Sequence, residues 1–411
     1  MNIAIVGAGV IGVTTAFELA DDGHSVTVFE RHGAAAEESS FAIAGLVAPG
    51  YFARWAASAE AEESPARTLS WRGLAWSRAS RRASQDDLAN QARQQAHGLA
   101  VQGRERLHAL TEALHLEYDC SPGYLLLLRS EREQRRLQAI LPALQEAGVR
   151  HEELTPEGAR AVEPALNAER KFAGALHLPD EGVANCRQVA QLLRRHAEVR
   201  GARFEFGCTV LPLDAAAPTT LMVQARGEPP QRRRFDAVVV CGGLHSAALL
   251  RPLGLRLPLT AMQGYTITAS INEMANAPQS AVRDERFGVD ITRLGERVRI
   301  SGGAEPGGRA ERKDPEILRT LYKVLQDWFP AAARLSGKCV TVQEWKGARP
   351  TLPDGAPVVG ASGVPGVWLN LGHGAHGWTL ACGSARALGD LIAGHLPAPE
   401  LSALGPHRLR A

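Results

Sequence analysis

The chain has 411 residues, longer than one ordinary hydrophobic core sustains, so two domains are expected. Its 45% apolar and 22% charged content is that of a globular protein, and a formal net charge of +2 gives no basis for binding nucleic acid. No run reaches the roughly 18 apolar residues needed to cross a bilayer, and the chain opens directly on a strand pattern with no room for a cleavable leader, so the cytoplasm is the expected location. Cys120, Cys186, Cys208, Cys241, Cys339 and Cys382 are scattered with no C-x-x-C and read as reduced thiols.

Ile3 to Val6 is a short apolar run ending in Gly7, as for a strand buried on both faces. Gly7, Gly9 and Gly12 then form G-x-G-x-x-G at the entry to a helix with apolar positions Val13, Ala16, Leu19 and Ala20. The first glycine permits a tight turn, the second lets backbone N–H groups approach a pyrophosphate, and the third lets helix and strand pack closely. Asp22-Gly23 stops the helix, and a second strand from Ser25 to Phe29 ends on Glu30. An acid at that distance accepts hydrogen bonds from ribose hydroxyls, which favours a ribose without a 2′-phosphate. A dinucleotide site is expected here, with Val10 and Ile11 in the loop and Arg31 beside Glu30. The loop alone does not separate NAD from FAD.

Glu37 to Tyr51 reads as irregular backbone threading past a ligand, with Gly45 and Pro49-Gly50 as its breakers. Between Tyr51 and Gly98, Trp55, Trp71, Leu74 and Trp76 interleave with Arg54, Arg67, Arg72, Arg78, Arg81 and Arg82. Such a mixture suits either a segment lying on anionic lipid or a partly buried loop with its arginines in water. Val101 to Leu116 has helical periodicity, Gly123 to Arg129 reads as a buried strand, and Glu131 to Ala147 as a second helix. A strand over Ala173 to Leu178 leads to Pro179-Asp180-Glu181-Gly182, expected to turn the chain, followed by a helix from Cys186 to Val199 and a strand from Ala202 to Phe206.

Phe235 to Val240 is an apolar strand ending in Cys241-Gly242-Gly243, a second place where backbone approaches a dinucleotide. Strands at Pro258 to Ala269, Phe287 to Thr292 and Arg297 to Ser301, with a helix from Pro315 to Phe329, suggest an antiparallel sheet crossed by a helix. The last segment contains Gly347-Ala348-Arg349-Pro350 and Pro353-Asp354-Gly355-Ala356-Pro357. A strand from Val367 to Asn370 then enters the turn Gly372-His373-Gly374-Ala375-His376-Gly377-Trp378, and a helix runs from Thr379 to Ala393. His373 and His376 form H-x-x-H, but no third ligand lies near and no metal site is expected.

Together the glycine-rich start, Glu30, the loop after it and the C-terminal motif resemble the D-amino acid dehydrogenase small subunit family, within the D-amino acid oxidase-like FAD-dependent oxidoreductases. That family carries S-x-x-N-A-G-Q under the flavin; Ser40, Ala44 and Gly45 match, while Ile43 replaces the usual Asn and Leu46 the usual Gln. The resemblance implies FAD as cofactor, held also by Cys241, Gly242, Gly372, His373, Gly374, Gly377, Trp378 and Thr379. It places Tyr265 in a K-G-Y-S-like strand, where its hydroxyl could bond a substrate carboxylate, and gives Arg349 as the bidentate carboxylate anchor, with His373 near the flavin.

The implied fold is α/β. A Rossmann-like FAD-binding domain of the GR2 type would be built from 1–84, 179–255 and 346–411, and an α+β substrate domain with a mixed or antiparallel sheet from 85–178 and 256–345. The implied activity is an FAD-dependent D-amino acid dehydrogenase acting on a D-amino acid, or a cyclic amine such as D-proline or hydroxyproline. Hydride passes from Cα to flavin, giving an imino acid and then a 2-oxo acid. The apolar Ile43 and Leu46 favour proline-like or branched substrates. The resemblance also implies a membrane quinone as electron acceptor and peripheral contact at the inner face of the cell membrane. Two alternatives remain open at this level: an oxygen-using amino acid oxidase, and an FAD-binding partner subunit without chemistry of its own.

Overall fold

The computed structural model describes residues 1–52, 71–84, 86–308, 311–335 and 342–409. Strand β1 (Asn2–Val6) is buried from Ile3 onward because it lies in the middle of a sheet, parallel to β2 (Ser25–Glu30) on one side and β11 (Ala237–Val240) on the other. The sheet continues to β7 (Arg203–Phe206) beyond β2. Past β11 it continues to β18 (Val367–Leu371) and an antiparallel edge strand, β17 (Val358–Ala361). Six strands thus come from the start, middle and end of the chain. The central strands β1, β11 and β18 are nearly continuous in apolar residues, as a doubly covered parallel sheet requires, while the edge strand β7 alternates.

Helix α1 (Val10–Asp21) leaves the first glycine turn and packs against α4 (Cys186–Val199) and the C-terminal α6 (Gly377–Ile392), which in turn packs on α3 (Asp87–Leu114). The α3–α6 crossing is made by glycines. A β-carbon on Gly383 would stand 2.1 Å from the Leu99 carbonyl oxygen, and one on Gly103 would stand 2.4 Å from that of Thr379. Beside this crossing the buried Glu18 carboxylate of α1 accepts from Arg106 Nε and Nη2 at 2.8 and 2.9 Å and from Arg386 Nη1 at 2.9 Å, tying the three helices together.

A second sheet carries nine strands. From one edge it runs β16 (Val342–Thr351), β12 (Thr260–Ser270), β15 (Arg297–Pro306), β14 (Val289–Leu294), β13 (Ala281–Asp284), β4 (Cys120–Leu128), β6 (Gly174–Ala184) and β3 (Leu46–Val47), and β5 (Glu152–Leu154) also pairs with β6. Every pairing is antiparallel except β13 with β4. Helix α5 (Pro315–Trp328) seals its outer face with Leu321, Val324, Leu325 and Trp328. A separate antiparallel ribbon joins β8 (Cys208–Val210), β9 (Thr220–Ala225) and β10 (Gln231–Arg234).

Two local expectations are corrected. Pro179 to Gly182 is not a chain reversal: Leu178 pairs with Tyr124 and Gly182 with Pro122, so residues 179–181 bulge opposite Gly123 inside one continuous strand. The helix expected over Glu131 to Ala147 divides into Glu131–Gln138 and Leu141–Glu146, because Pro142 has no N–H to continue the first ladder but fits the first turn of a new helix. Residues 46–47 and 342–351 belong to the second sheet, while α3 packs in the core of the first.

Of the Trp- and Arg-rich stretch, Arg54, Trp55 and Arg67 lie outside the described residues, as does Cys339. Residues Trp71–Ser84 form helix α2, with Leu74, Arg78, Arg81 and Arg82 exposed. Among the described residues, no helix is long and apolar enough to cross a membrane.

Candidate active site

The glycine turn after β1 is shaped by backbone contact. Gly7 has φ +103°, a value L-residues rarely adopt, and a β-carbon on it would stand 2.8 Å from the Cys241 carbonyl oxygen. On Gly12 a β-carbon would fall 1.9 Å from the Gly7 carbonyl oxygen, so no larger residue fits between turn and helix. Ser40 Oγ accepts from Val10 N at 3.1 Å, and the two oxygens of Glu30 accept from Ala8 N at 2.7 Å and His32 N at 2.9 Å. Arg31 pairs with Glu38 at the same end.

These groups line one continuous groove. Gly7, Gly9, Val10 and Ile11 form one wall and Glu30, Arg31 and Ser40 one end. Cys241 and Gly242 face them, and Gly372, His373, Gly374, Gly377 and Trp378 complete the other end at the start of α6. Gly12 stands behind the wall as the packing contact. A cradle that β-carbons would fill, beside an acid and a helix N-terminus, fits the pyrophosphate and ribose of a dinucleotide. Cys241 is no nucleophile, since burial pushes its thiol up to about 12.

The groove opens into a second cavity, between the second sheet and the loop Ser39 to Ala48; Ala44, Gly45, Leu46 and Thr379 line it. The loop is fixed from outside, carbonyl by carbonyl. Ala42 O accepts from Thr266 Oγ1 at 2.7 Å, Ile43 O from Arg299 Nη1 at 2.8 Å and Ala44 O from Thr292 Oγ1 at 2.9 Å. Gly45 O accepts from Ala184 N at 2.8 Å and Leu46 O from Thr379 Oγ1 at 3.2 Å. The far wall holds Arg283, buried against Asp290 at 2.9 and 3.0 Å, with Tyr124 donating to the same carboxylate at 2.7 Å.

Arg349 alone among the three expected catalytic side chains reaches both cavities. It lies over Gly264, and its Nη2 donates to Gly303 O at 2.8 Å, which orients the guanidinium. His373 lines the groove, and the Tyr265 hydroxyl is turned to partners within the sheet. The Tyr265 ring borders the cavity, but its hydroxyl donates to Glu305 Oε2 at 2.7 Å and accepts from Asp314 N at 3.1 Å, and burial followed by Glu305 holds its pKa up. A hydroxyl so committed is a strut for β12 rather than a carboxylate ligand. His373 is 3% exposed with Nε2 3.3 Å from Ser384 Oγ, and burial pushes its pKa down to about 3. It is held neutral and anchors the turn to α6. His376 instead stacks edge-on against Phe52, with centroids 4.5 Å apart. Among the described residues, no group of three or more His, Cys, Asp or Glu side chains is placed to hold a metal ion.

Residues the sequence reading did not single out include Thr266, Thr292 and Arg299, which fix the loop, and Trp345, Arg283 and Asp290 on the cavity walls. Their only signal is polar or small residues at alternate positions of otherwise apolar strands.

A groove of this shape opening under an antiparallel sheet defines a two-domain, dinucleotide-dependent oxidoreductase. The chain belongs to the DAO family of FAD dependent oxidoreductases, whose family model matches residues 2–391. Among curated relatives it is 39% identical to a D-amino acid dehydrogenase of Cereibacter sphaeroides, over 100% of this chain and 96% of the relative. It is likewise 39% identical to one of a Methylobacterium species, over 97% and 96%. Glycine oxidase from Geobacillus kaustophilus shares the fold, with a TM-score of 0.78 over 98% of this chain and 97% of that one at 23% identity.

Proposed function

We propose that the protein is an FAD-dependent D-amino acid dehydrogenase. The observation that carries the reading is Arg349, held by Gly303 O at the junction of the two cavities. A guanidinium there binds the substrate carboxylate bidentately and so fixes Cα at the mouth of the cofactor groove. The relatives named D-amino acid dehydrogenase support the same reading over the full chain. When bound, FAD accepts the hydride from Cα, which is the cofactor's own chemistry.

The chain's residues orient and polarise. Gly377 and Trp378 at the start of α6 line the groove, and a helix N-terminus there would favour negative charge on a bound flavin. No side chain is needed to take a proton from Cα, because an amine bound neutral drives the oxidation with its own lone pair. That agrees with a His373 held neutral and turned to Ser384. Ile43 and Leu46 make the loop side of the cavity apolar, which favours proline-like and branched side chains. The exposed Leu74, Arg78, Arg81 and Arg82 of α2 support peripheral contact with anionic lipid, and with it a membrane quinone as electron acceptor.

The test is an anaerobic flavin spectrum of the purified protein titrated with D- and L-amino acids, D-proline included. Bleaching by D enantiomers only is expected. A yellow protein that no D-amino acid bleaches rejects the reading, and rapid oxygen consumption without another acceptor makes it an oxidase.

A further inference from the structure

We propose that Trp345 is the specificity-determining wall of the substrate cavity and that it selects amino acids whose side chain lays an apolar ring or chain against the indole. The proposal rests on the reading of Arg349 as the carboxylate anchor.

Trp345, Gly347 and Arg349 alternate along β16, and all three line the cavity, as the two-residue period of a strand dictates. Gly347 is paired with Gly264 on β12, so two adjacent strands present a patch bare of side chains to the cavity. That patch is occupied from both ends. Over its Gly264 half lies Arg349, whose Nη2 would stand 2.8 Å from a β-carbon there. Over its Gly347 half lies the Trp345 ring, whose Cη2 and Cζ2 would stand 1.9 and 2.2 Å from a β-carbon. Paired residues on neighbouring strands are about 5 Å apart, so the indole and the guanidinium are seated side by side.

A strand tryptophan that merely filled space would not need a glycine two residues on to lie down upon. Here the glycine drops the ring onto the sheet and leaves the volume above it open. Phe41 backs the ring, with centroids 6.3 Å apart at 33°, and Ile43 and Leu46 close the opposite side. A carboxylate held on Arg349 therefore directs the rest of its molecule across an apolar surface whose largest element is Trp345. Aromatic contact of this kind adds to the area buried.

The test uses FAD-loaded protein and the variants Trp345→Ala, Trp345→Phe and Gly347→Ala. Two ratios are read: kcat/KM for D-phenylalanine over D-alanine, and binding of phenylacetate over acetate from the flavin difference spectrum. Trp345→Ala should lower both ratios at least tenfold by removing the wall. Gly347→Ala should lower both by lifting the ring into the cavity, and Trp345→Phe should recover most of the loss. Ratios that stay within twofold of the unmodified protein in Gly347→Ala, and in Trp345→Ala where it folds, overturn the proposal. So does a shift of the ligand-free flavin spectrum and FAD affinity with both ratios constant, which would place the indole on the cofactor. If no D-amino acid bleaches the unmodified protein, the dehydrogenase reading fails, while the phenylacetate-to-acetate ratio still judges the wall.

Discussion

Arg299 donates to the carbonyl oxygen of Ile43 at 2.8 Å, so a strand of the substrate sheet grips the loop that divides the two cavities. Burial pushes Arg299 down to about 10, still charged at neutral pH. With Thr266, Thr292, Ala184 and Thr379 occupying the neighbouring carbonyls, residues Ile43 to Leu46 of the loop line the substrate cavity. Arg299→Leu should free Ile43 O and weaken FAD binding by about tenfold or more, for a charged hydrogen bond of roughly 1.5–3 kcal/mol. Fluorescence titration of the apoprotein with FAD measures this. Unchanged affinity would show that the grip on this carbonyl does not shape the cofactor site.

Arg349→Met should lower kcat/KM for D-amino acids by about 30- to 5000-fold while leaving FAD content intact, since losing one partner of a desolvated charge pair costs roughly 2–5 kcal/mol. Arg349→Lys keeps a point charge without the fork and should fall between. Steady-state kinetics with flavin content as a control decides it, and a loss under threefold would assign the carboxylate to another residue.

Gly383→Ala should destabilise the fold by about 1–3 kcal/mol, because its β-carbon meets the Leu99 carbonyl at the α3–α6 crossing, where backbone on both sides leaves nothing to yield. Denaturant unfolding of the variant measures the loss. Gly394→Ala, just past the end of α6 with φ +79° and open space around it, would cost only the strain of its backbone.

Glu181 carries the clearest pH dependence. The bulge in β6 aims it inward, where Oε1 accepts from Gly50 N at 2.9 Å, and burial pushes its pKa up to about 7 from the 4.5 of an exposed glutamate. Between pH 4.5 and 7 the folded chain keeps a proton that the unfolded chain has released, so this residue's contribution to stability falls as pH rises through that window. Glu181→Gln has no charge to bury. It should match the unmodified protein at pH 4.5 and exceed it by about 1–3 kcal/mol at pH 8. Melting temperatures across that range that run parallel for both proteins would contradict the assignment.

The groove was legible in the sequence because its demands are local. Gly12 is glycine for its contact with Gly7, five residues back, Gly7 needs its positive φ for the turn itself, and Glu30 follows at the end of the next strand. Arg349 was legible through the long motif around it. What escaped depends on partners far away in sequence. Tyr265 reads as a ligand until Glu305 is beside it, and no local pattern shows that Ser384 meets the ring nitrogen of His373. Pro179 to Gly182 has turn composition in every residue, yet β4 pairs on both sides of it and holds the strand straight through. No local pattern announces a bulge.

The first sheet is closed by its last strand: β18 pairs with β11, Asn370 Nδ2 donates to Thr15 Oγ1 at 3.1 Å, and α6 lies on α1. On the ribosome the Gly7 to Gly12 turn emerges first but waits for Gly372 to Gly377 before it has an opposite wall. A dinucleotide held between the two turns would load only once both have formed. Yellow colour in a preparation would count intact molecules, and any product clipped before α6 would emerge colourless, however well its N-terminal half had folded.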